Sequence, residues 1–388
     1  MAVENWVAKL VDDLTAFRRD LHMNPELLYD VQRTAQNVAD ALRAAGVDEV
    51  HEGIGRTGVV GVIRGQSTAS GRMIGLRSDM DALPIEEETG KPWASQVPGK
   101  MHACGHDGHT AMLLGAARHL ADSRAFDGTV IVIFQPAEEG GAGARAMIQD
   151  GLFQRWPCDE VYGMHNRPNL PVGQFTINSG PIMGSVDEIK ITITGRGGHA
   201  ARPDQTIDPL PVAGALLQAV QSITSRNLDP IDAAVVSLCT IEAGNAFNVI
   251  PQDVRMTGTV RTLNEDARNM IEDRLTGMVS HIAAAFGGTG QLEYIRHYPV
   301  TVNHEIETGL AAKAAQEVAG VENVHLDMPQ TLGGEDFSFM LNEVPGAMIN
   351  VGNGPSAALH HPEYDFNDDV IAWGGSYWTT LVRQRLPL

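Results

Sequence analysis

The segment His102-Ala103-Cys104-Gly105-His106-Asp107-Gly108-His109 constrains this chain more than any other, because a thiol and three imidazoles crowd into one short, glycine-containing stretch. Further on, Glu138-Glu139 follows Val130–Phe134 (VIVIF), a continuous apolar run of the kind buried on both faces of a parallel sheet. A fold that uses both segments must deliver them to one place, and ligands gather at the carboxyl ends of strands in an open α/β sheet. Cys104 and His106 can clasp one cation or border a two-metal site. Of two adjacent carboxylates, one can bind metal while the other moves a proton, so the pattern points to hydrolysis by a metal-bound water. A Cys/His pair alone would pass for a buried thiol and a surface imidazole, and an isolated Glu-Glu for the acidic first turn of a helix. Their combination supports the metal reading.

At 388 residues the chain exceeds what one core usually covers, so two domains are expected. The formal charge of −20 comes with no basic stripe, which argues against a nucleic-acid partner. The cysteines, Cys104, Cys158 and Cys239, are too few and odd in number for a disulfide framework. A reducing, cytoplasmic setting is therefore expected, and it would keep Cys104 free to ligate. The N-terminal residues show no basic stretch followed by an apolar one, and no apolar run is long enough to span a bilayer. Neither a signal peptide nor a membrane partner is expected.

Trp6, Leu10, Leu14, Phe17 and Leu21 recur at helical spacing and predict a helix over 4–22. Thr34 is placed to cap a second helix that Gly46 ends. Val59–Arg64, Met73–Arg77, Val130–Phe134 and Glu160–Met164 read as strands, the last ending at His165, and His109–Leu120 as a helix. After Ser179-Gly180-Pro181 the pattern changes. Strand Val186–Thr194, helix Pro209–Ser225, strands Ala234–Glu242 and Asp253–Thr262, helix Glu265–Phe286 and strand Gln291–His297 follow in turn. That β-α-β-β-α-β order fits a ferredoxin-like unit. Helix Glu307–Val318, strand Ala347–Val351, a loop with His360-His361-Pro362 and helix Val370–Arg383 complete the chain. The expected organisation is an α/β domain over 1–183 and 298–388, interrupted by an inserted domain at 184–297.

Other candidates stay open on their residues alone. Asp79 and Asp81 suit a ligand, an orienter of a histidine, or a turn. Nothing in the residues chooses between His360 and His361, and His102 and His109 are equally undecided. His199 ends Gly195-Arg196-Gly197-Gly198, which lacks the Lys-Ser/Thr of a phosphate loop, so it reaches a substrate or caps a turn.

Several motifs occur in order along nearly the whole chain: Arg18-Arg19-Asp20-Leu21-His22 with Asn24-Pro25-Glu26, Asp79-Met80-Asp81-Ala82-Leu83-Pro84, the His102–His109 stretch, Gln135-Pro136-Ala137-Glu138-Glu139, Gly163-Met164-His165, Gly197-Gly198-His199-Ala200-Ala201, Asn248-Val249-Ile250-Pro251, Gly334-Glu335-Asp336-Phe337 and His360-His361-Pro362. In these the chain resembles the metal-dependent amidohydrolases that include hippurate hydrolases, bacterial N-acyl-amino-acid amidohydrolases and plant auxin-conjugate hydrolases, relatives of aminoacylase and glutamate carboxypeptidase. The resemblance implies a mixed-sheet α/β/α di-metal hydrolase domain with an inserted ferredoxin-like α+β lid and dimerisation domain. It implies two divalent metal ions per subunit, zinc or manganese first, with cobalt or nickel compatible. Cys104, His106, Glu139, His165 and His360 become the ligands, His360 being the first His of the Leu-His-x-Pro motif, and Glu138 the general base and acid. His199 becomes the lid residue that stabilises an oxyanion, while Asn248 and Arg261 are similar to positions that contact the tetrahedral intermediate and the substrate carboxylate. The implied partners are a small N-acyl or N-aroyl amino acid substrate and further copies of the chain, as a homodimer or higher homo-oligomer. A metallo-dipeptidase or carboxypeptidase using the same centre is the alternative. Two departures stand out: Pro203-Asp204 where the family often has Pro-His, and Leu28-Tyr29-Asp30-Val31 in place of the usual Gly-Phe-Glu-Glu.

Overall fold

The computed structural model describes residues 7–388, and the chain divides into two compact units. The first comprises Met1–Gly180, Val302–Pro329 and Asp336–Leu388; the second comprises Pro181–Thr301 and Gln330–Glu335.

Helix α1 (Val7–Met23) buries Leu14 and Leu21, while Trp6 lies outside the described residues. Helix α2 (Gln32–Ala44) turns Val38, Ala39 and Leu42 inward. Thr34 is not its cap. It lies inside the first turn, and the Glu26 carboxylate accepts the backbone N–H groups of Arg33 (3.2 Å) and Thr34 (2.8 Å). With Val31 at the cap position, the first amides of α2 need an acceptor from elsewhere in the chain.

Strands β1 (Glu49–Ile54), β2 (Gly58–Arg64), β3 (Met73–Asp79), β4 (Thr129–Gln135) and β5 (Glu160–Pro168) join an eight-stranded mixed sheet. Its order is β1, β2, β4, β3, β5, Gly346–Gly354, Phe175–Thr176, Val324–His325. The middle of the sheet, β4 to Gly346–Gly354, is parallel, and β1 and β2 form an antiparallel edge. β4 is buried along almost its whole length, as its unbroken apolar run requires. β1 is absent from the sequence reading because EVHEGI is polar and largely accessible, as an edge strand can be. Helix α3 (His106–Ser123) and the last helix, Val370–Arg385, pack on each other and fill the core with Leu113, Leu114, Tyr377, Trp378 and Leu381.

Three elements run further than their sequence patterns suggest, and all three extensions bear on chemistry. β3 continues to Asp79. β5 runs through His165, which pairs with Asn350 in the ladder. α3 begins at His106 rather than His109, because Gly105 takes a left-handed φ of 88° and turns the chain directly into the helix.

The second unit is a four-stranded antiparallel sheet in the order Ala234–Ala243, Asp253–Thr262, Val186–Thr194, Thr289–Tyr298. Alternation along Val186–Thr194 puts Ile189, Ile191 and Ile193 inside, against Val212 and Leu216 of helix Pro209–Ala219 and Ile271 and Leu275 of helix Glu265–Ala285. The chain order and sheet order are those of a ferredoxin-like fold. The first helix ends at Ala219, short of Ser225, and a π-helical turn, Ile223–Asn227, follows. Among the described residues no helix is long and apolar enough to cross a membrane.

One buried ion pair holds this second unit. Asp187 accepts hydrogen bonds from Arg268 Nε (2.9 Å) and the Tyr294 hydroxyl (2.7 Å). Replacing Asp187 with Ala leaves the buried Arg268 with only the partly exposed Glu265 carboxylate as partner (3.0 Å) and takes away the acceptor of Tyr294, and breaking a buried pair costs up to about 3–5 kcal/mol. Urea unfolding should show a loss of that order; a loss below about 1 kcal/mol would contradict this account of the unit.

Candidate metal centre

Two adjacent parallel strands deliver the acidic side of the site. Beyond the end of β3, Asp81 reaches under the loop that leaves β4. Its two carboxylate oxygens accept the backbone N–H groups of Glu138 (2.9 Å) and Glu139 (3.1 Å). Ala137, at φ 55°, bends the chain so that the carboxylate pair leaves the sheet at this point. A second buried carboxylate, Asp336, accepts from Gln135 Nε2 (2.7 Å), Arg77 Nη2 (3.0 Å) and the Ala144 amide (2.9 Å).

The imidazoles and the thiol arrive from the other side. Cys104 precedes Gly105, where a Cβ would sit 2.5 Å from both Asn166 Nδ2 and the Tyr364 hydroxyl, so only glycine fits. His165 Nδ1 donates to the Asn166 carbonyl at 2.6 Å, which leaves the Nε2 lone pair facing Cys104 Sγ at 3.4 Å. His360 donates its backbone N–H to the Ala103 carbonyl (2.8 Å), and its Nε2 lies 3.3 Å from Glu139 Oε1. His361 instead accepts the Glu363 amide on Nδ1 (3.1 Å) and caps an exposed turn. His106 Nε2 lies 3.7 Å from Asp79 Oδ2 and 3.9 Å from Glu139 Oε1, and Nδ1 lies 3.6 Å from Asp81 Oδ1.

His109 takes a supporting part. Its Nε2 accepts the Asn166 amide (2.9 Å), so Nδ1 carries the proton and donates to Asp79 Oδ1 (2.7 Å). Both nitrogens are engaged, and Asp79 orients this ring. His102 is buried, and neither ring nitrogen has a hydrogen-bond partner, but it joins none of the ligand groups.

Cys104, His106 and His165 form one potential ligand group, and Cys104, Glu139 and His360 another. The ligand atoms within each group lie within 4.8 Å of one another, and the sulfur belongs to both. A third group, His106, Glu138 and Glu139, places Glu138 beside them. Sulfur, imidazole nitrogen and carboxylate oxygen form a donor set that zinc and its neighbours accept. Both ring nitrogens of His106 and Glu139 Oε1 are buried with no hydrogen-bond partner. Buried polar atoms are normally satisfied, and a cation would satisfy these.

Electrostatics favours the same reading. Burial pulls the His106 pKa down, but Asp79, Asp81 and Glu139 outweigh it and lift it to about 10. Burial, reinforced by the neighbouring His109, drives His165 down to about 3, which leaves it neutral and able to ligate. Burial raises the Cys104 thiol well above its usual range, and the charges of Glu139, Glu138 and Asp79 raise it further. Against burial, the His360 contact and the His106 charge hold Glu139 low. Without a cation, then, His106 is an imidazolium among carboxylates and Cys104 a neutral thiol. A metal must displace both protons, so its affinity rises with pH across neutrality. Zinc titrations from about pH 6 to about pH 8 should show tightening affinity, with heats that depend on the buffer's ionisation enthalpy. Affinity that does not change with pH would contradict the assignment of Cys104 and His106.

Several supporting residues carried no sequence signal of their role. Asn166 Nδ2 donates to the Cys104 carbonyl (2.7 Å), and Asn166 Oδ1 accepts from the Tyr364 hydroxyl (2.8 Å). His22 Nδ1 lies 2.8 Å from Asp107 Oδ2, and Arg18 spans Asp107 (3.4 Å) and Asp368 (2.7 Å). These contacts tie the first turn of α3, which bears His106, to α1. Arg18 and His22 stood out only as part of a motif.

The remaining candidates lie in the second unit. The short strand Gly198–His199 pairs with Val249–Ile250, and the Ala200 amide donates to the Asn248 carbonyl (3.1 Å), so His199 and Asn248 share one exposed ribbon. His199 Nδ1 accepts the Ala201 amide (3.1 Å), which leaves the proton on Nε2. Arg261, in strand Asp253–Thr262, donates to the Thr259 hydroxyl and to the Val260 carbonyl (3.0 Å), and partial burial lowers its pKa.

Residues 75–384 match the sequence pattern of Peptidase family M20/M25/M40. The chain belongs to this family. It is 40% identical to the hippurate hydrolase of Campylobacter jejuni over 98% of this chain and 100% of that one. It is 38% identical to an N-acetylcysteine deacetylase of Bacillus subtilis over 95% of this chain and 96% of that one. A solved Bacillus subtilis structure described as a dinuclear metal binding peptidase of the M20 family superposes with a TM-score of 0.86 at 34% identity, covering 98% of this chain and 99% of that one. The chain is therefore a hydrolase with the M20 α/β fold, and its ligand groups mark it as metal-binding.

Proposed function

We propose that this M20 hydrolase cleaves the amide bond of N-acyl or N-aroyl amino acids, releasing a carboxylic acid and a free amino acid. The observation that carries the reading is the pair of ligand groups sharing Cys104, with Glu138 beside them, in a chain so similar to a hippurate hydrolase. Cys104, His106 and His165 would hold one divalent cation, and Cys104, Glu139 and His360 a second. Zinc or manganese suits the mixed donors best, with cobalt and nickel compatible. When bound, the cations supply Lewis acidity that polarises the scissile carbonyl and acidifies a water.

The chain's own residues do the rest. Glu138, buried and pinned through its backbone amide by Asp81, takes the proton of the attacking water and delivers it to the leaving nitrogen. The Nε2–H of His199 and the side chain of Asn248 are the proposed donors to the oxyanion, and Arg261 the proposed partner of the substrate carboxylate. We assign the chain to the cytoplasm, where a reduced Cys104 persists. We also assign it a homodimer or a higher homo-oligomer. Sedimentation at micromolar concentration should then give a dimer or a larger assembly, and a monomer would contradict this assignment.

Glu138→Gln should retain its cations and lose about 10²–10⁴ in kcat, the range of a general base. A near-normal rate on benzoylglycine would overturn the base assignment. The family description also covers peptidases, so the substrate class needs its own test. Chelated protein reloaded with Zn²⁺ or Mn²⁺ should release amino acid from benzoylglycine or acetylated amino acids. Turnover of free-amine dipeptides alone would move the chain to the dipeptidase or carboxypeptidase reading.

A further inference from the structure

The loop that carries Glu138 and Glu139 is bent at both ends in a way that side chains resist. Ala137 and Ala142 take φ of 55° and 56°, and Gly140, between them, takes 93°. A non-glycine residue in this region is strained and persists only where its surroundings hold it. The entrance to the loop is held by Asp81, through the amides of Glu138 and Glu139. The exit passes through Gly140-Gly141, where the Gly140 amide donates to the Glu138 carbonyl (2.7 Å) and, just beyond, the Gly143 amide donates to the Ala137 carbonyl (3.1 Å). There the Tyr29 hydroxyl donates to the Gly141 carbonyl at 2.8 Å.

Tyr29 is itself fixed. The Arg56 guanidinium, on the turn between β1 and β2, lies 4.0 Å from the centre of its ring, and the neighbouring Thr57 hydroxyl donates to the Tyr29 carbonyl (3.0 Å). Gly141 packs against it so closely that a Cβ there would lie 3.2 Å from the Tyr29 ring and 2.6 Å from the Ala137 Cβ. Burial raises the Tyr29 pKa against the opposing pull of Arg56, so the hydroxyl stays a donor.

We propose that the Tyr29 hydroxyl is a positioning group for the reaction, holding the exit of the Glu138–Glu139 loop so that the Glu138 carboxylate stays in place during proton transfer. The inference rests on the base role proposed for Glu138. Within that loop the Tyr29 hydroxyl bonds the Gly141 carbonyl and acts through it.

The test is Tyr29→Phe in the full-length, metal-loaded protein, which removes one oxygen and keeps the ring under Arg56. Loss of one backbone-directed hydrogen bond predicts a fall in kcat of about fivefold, with KM and the number of bound cations unchanged. Amide hydrogen exchange across residues 137–143 should speed up by a similar factor, while exchange in β4 stays as in the parent. Unchanged kcat with unchanged loop exchange would overturn the proposal, and so would faster exchange with unchanged kcat. A rise in KM alone would also overturn it, since that marks a substrate contact. If the parent protein turns over no N-acyl amino acid, the activity proposed above falls, and unchanged loop exchange would then remove the Tyr29 anchor as well.

Discussion

Four carboxylates, Asp79, Asp81, Glu138 and Glu139, gather at and beyond the ends of two neighbouring parallel strands, and three of them are buried. Concentrating that much negative charge away from water is possible only with compensation, and the surrounding structure supplies it. Arg77 and the ring of His109 hold Asp79, and two backbone amides hold Asp81. What remains is the space between His106, Cys104, Glu139 and His360. There a proton on His106 would balance the charge in the absence of a cation, and a divalent cation would balance it better. On this account the acid that binds metal and the acid that moves the proton differ by one position on a strained loop. The fixing of that loop then becomes as important as the ligands themselves.

Much of this was legible in the residues. The apolar run of β4 required a central strand, and a cysteine and histidine separated by a glycine can converge in almost any tight turn. Other features could not be read from a linear pattern. β1 carries no apolar alternation, and Phe175–Thr176 and Val324–His325 are too short for any period to show. Glu26 displaces Thr34 as the cap of α2 because of where the preceding turn places its carboxylate. The functions of Asp81, Asn166 and Tyr364 depend on partners far away in the chain, and no local signal announces them. The choice between His360 and His361, open on the residues, becomes a matter of direction: one ring faces Glu139 and the other closes its own turn.

The two units divide the chemistry unequally. The first contains every proposed ligand and the proposed base, gathered from β5, the start of α3, the loop after β4 and the loop that bears His360. The second contains an exposed histidine whose tautomer is set by a local backbone bond, beside an exposed asparagine on the same ribbon.

The central claim is that a single sulfur serves two cations, and X-ray absorption at the zinc edge of the fully loaded protein tests it most directly. Among the described residues, Cys158 and Cys239 belong to neither ligand group, so Cys104 is the one cysteine on offer here. If Cys104 bridges, each zinc should report about one sulfur neighbour on average in this donor set. If Cys104 serves only one of two zincs, the average should be about half a sulfur per zinc, and the shared-ligand account of the site would be contradicted.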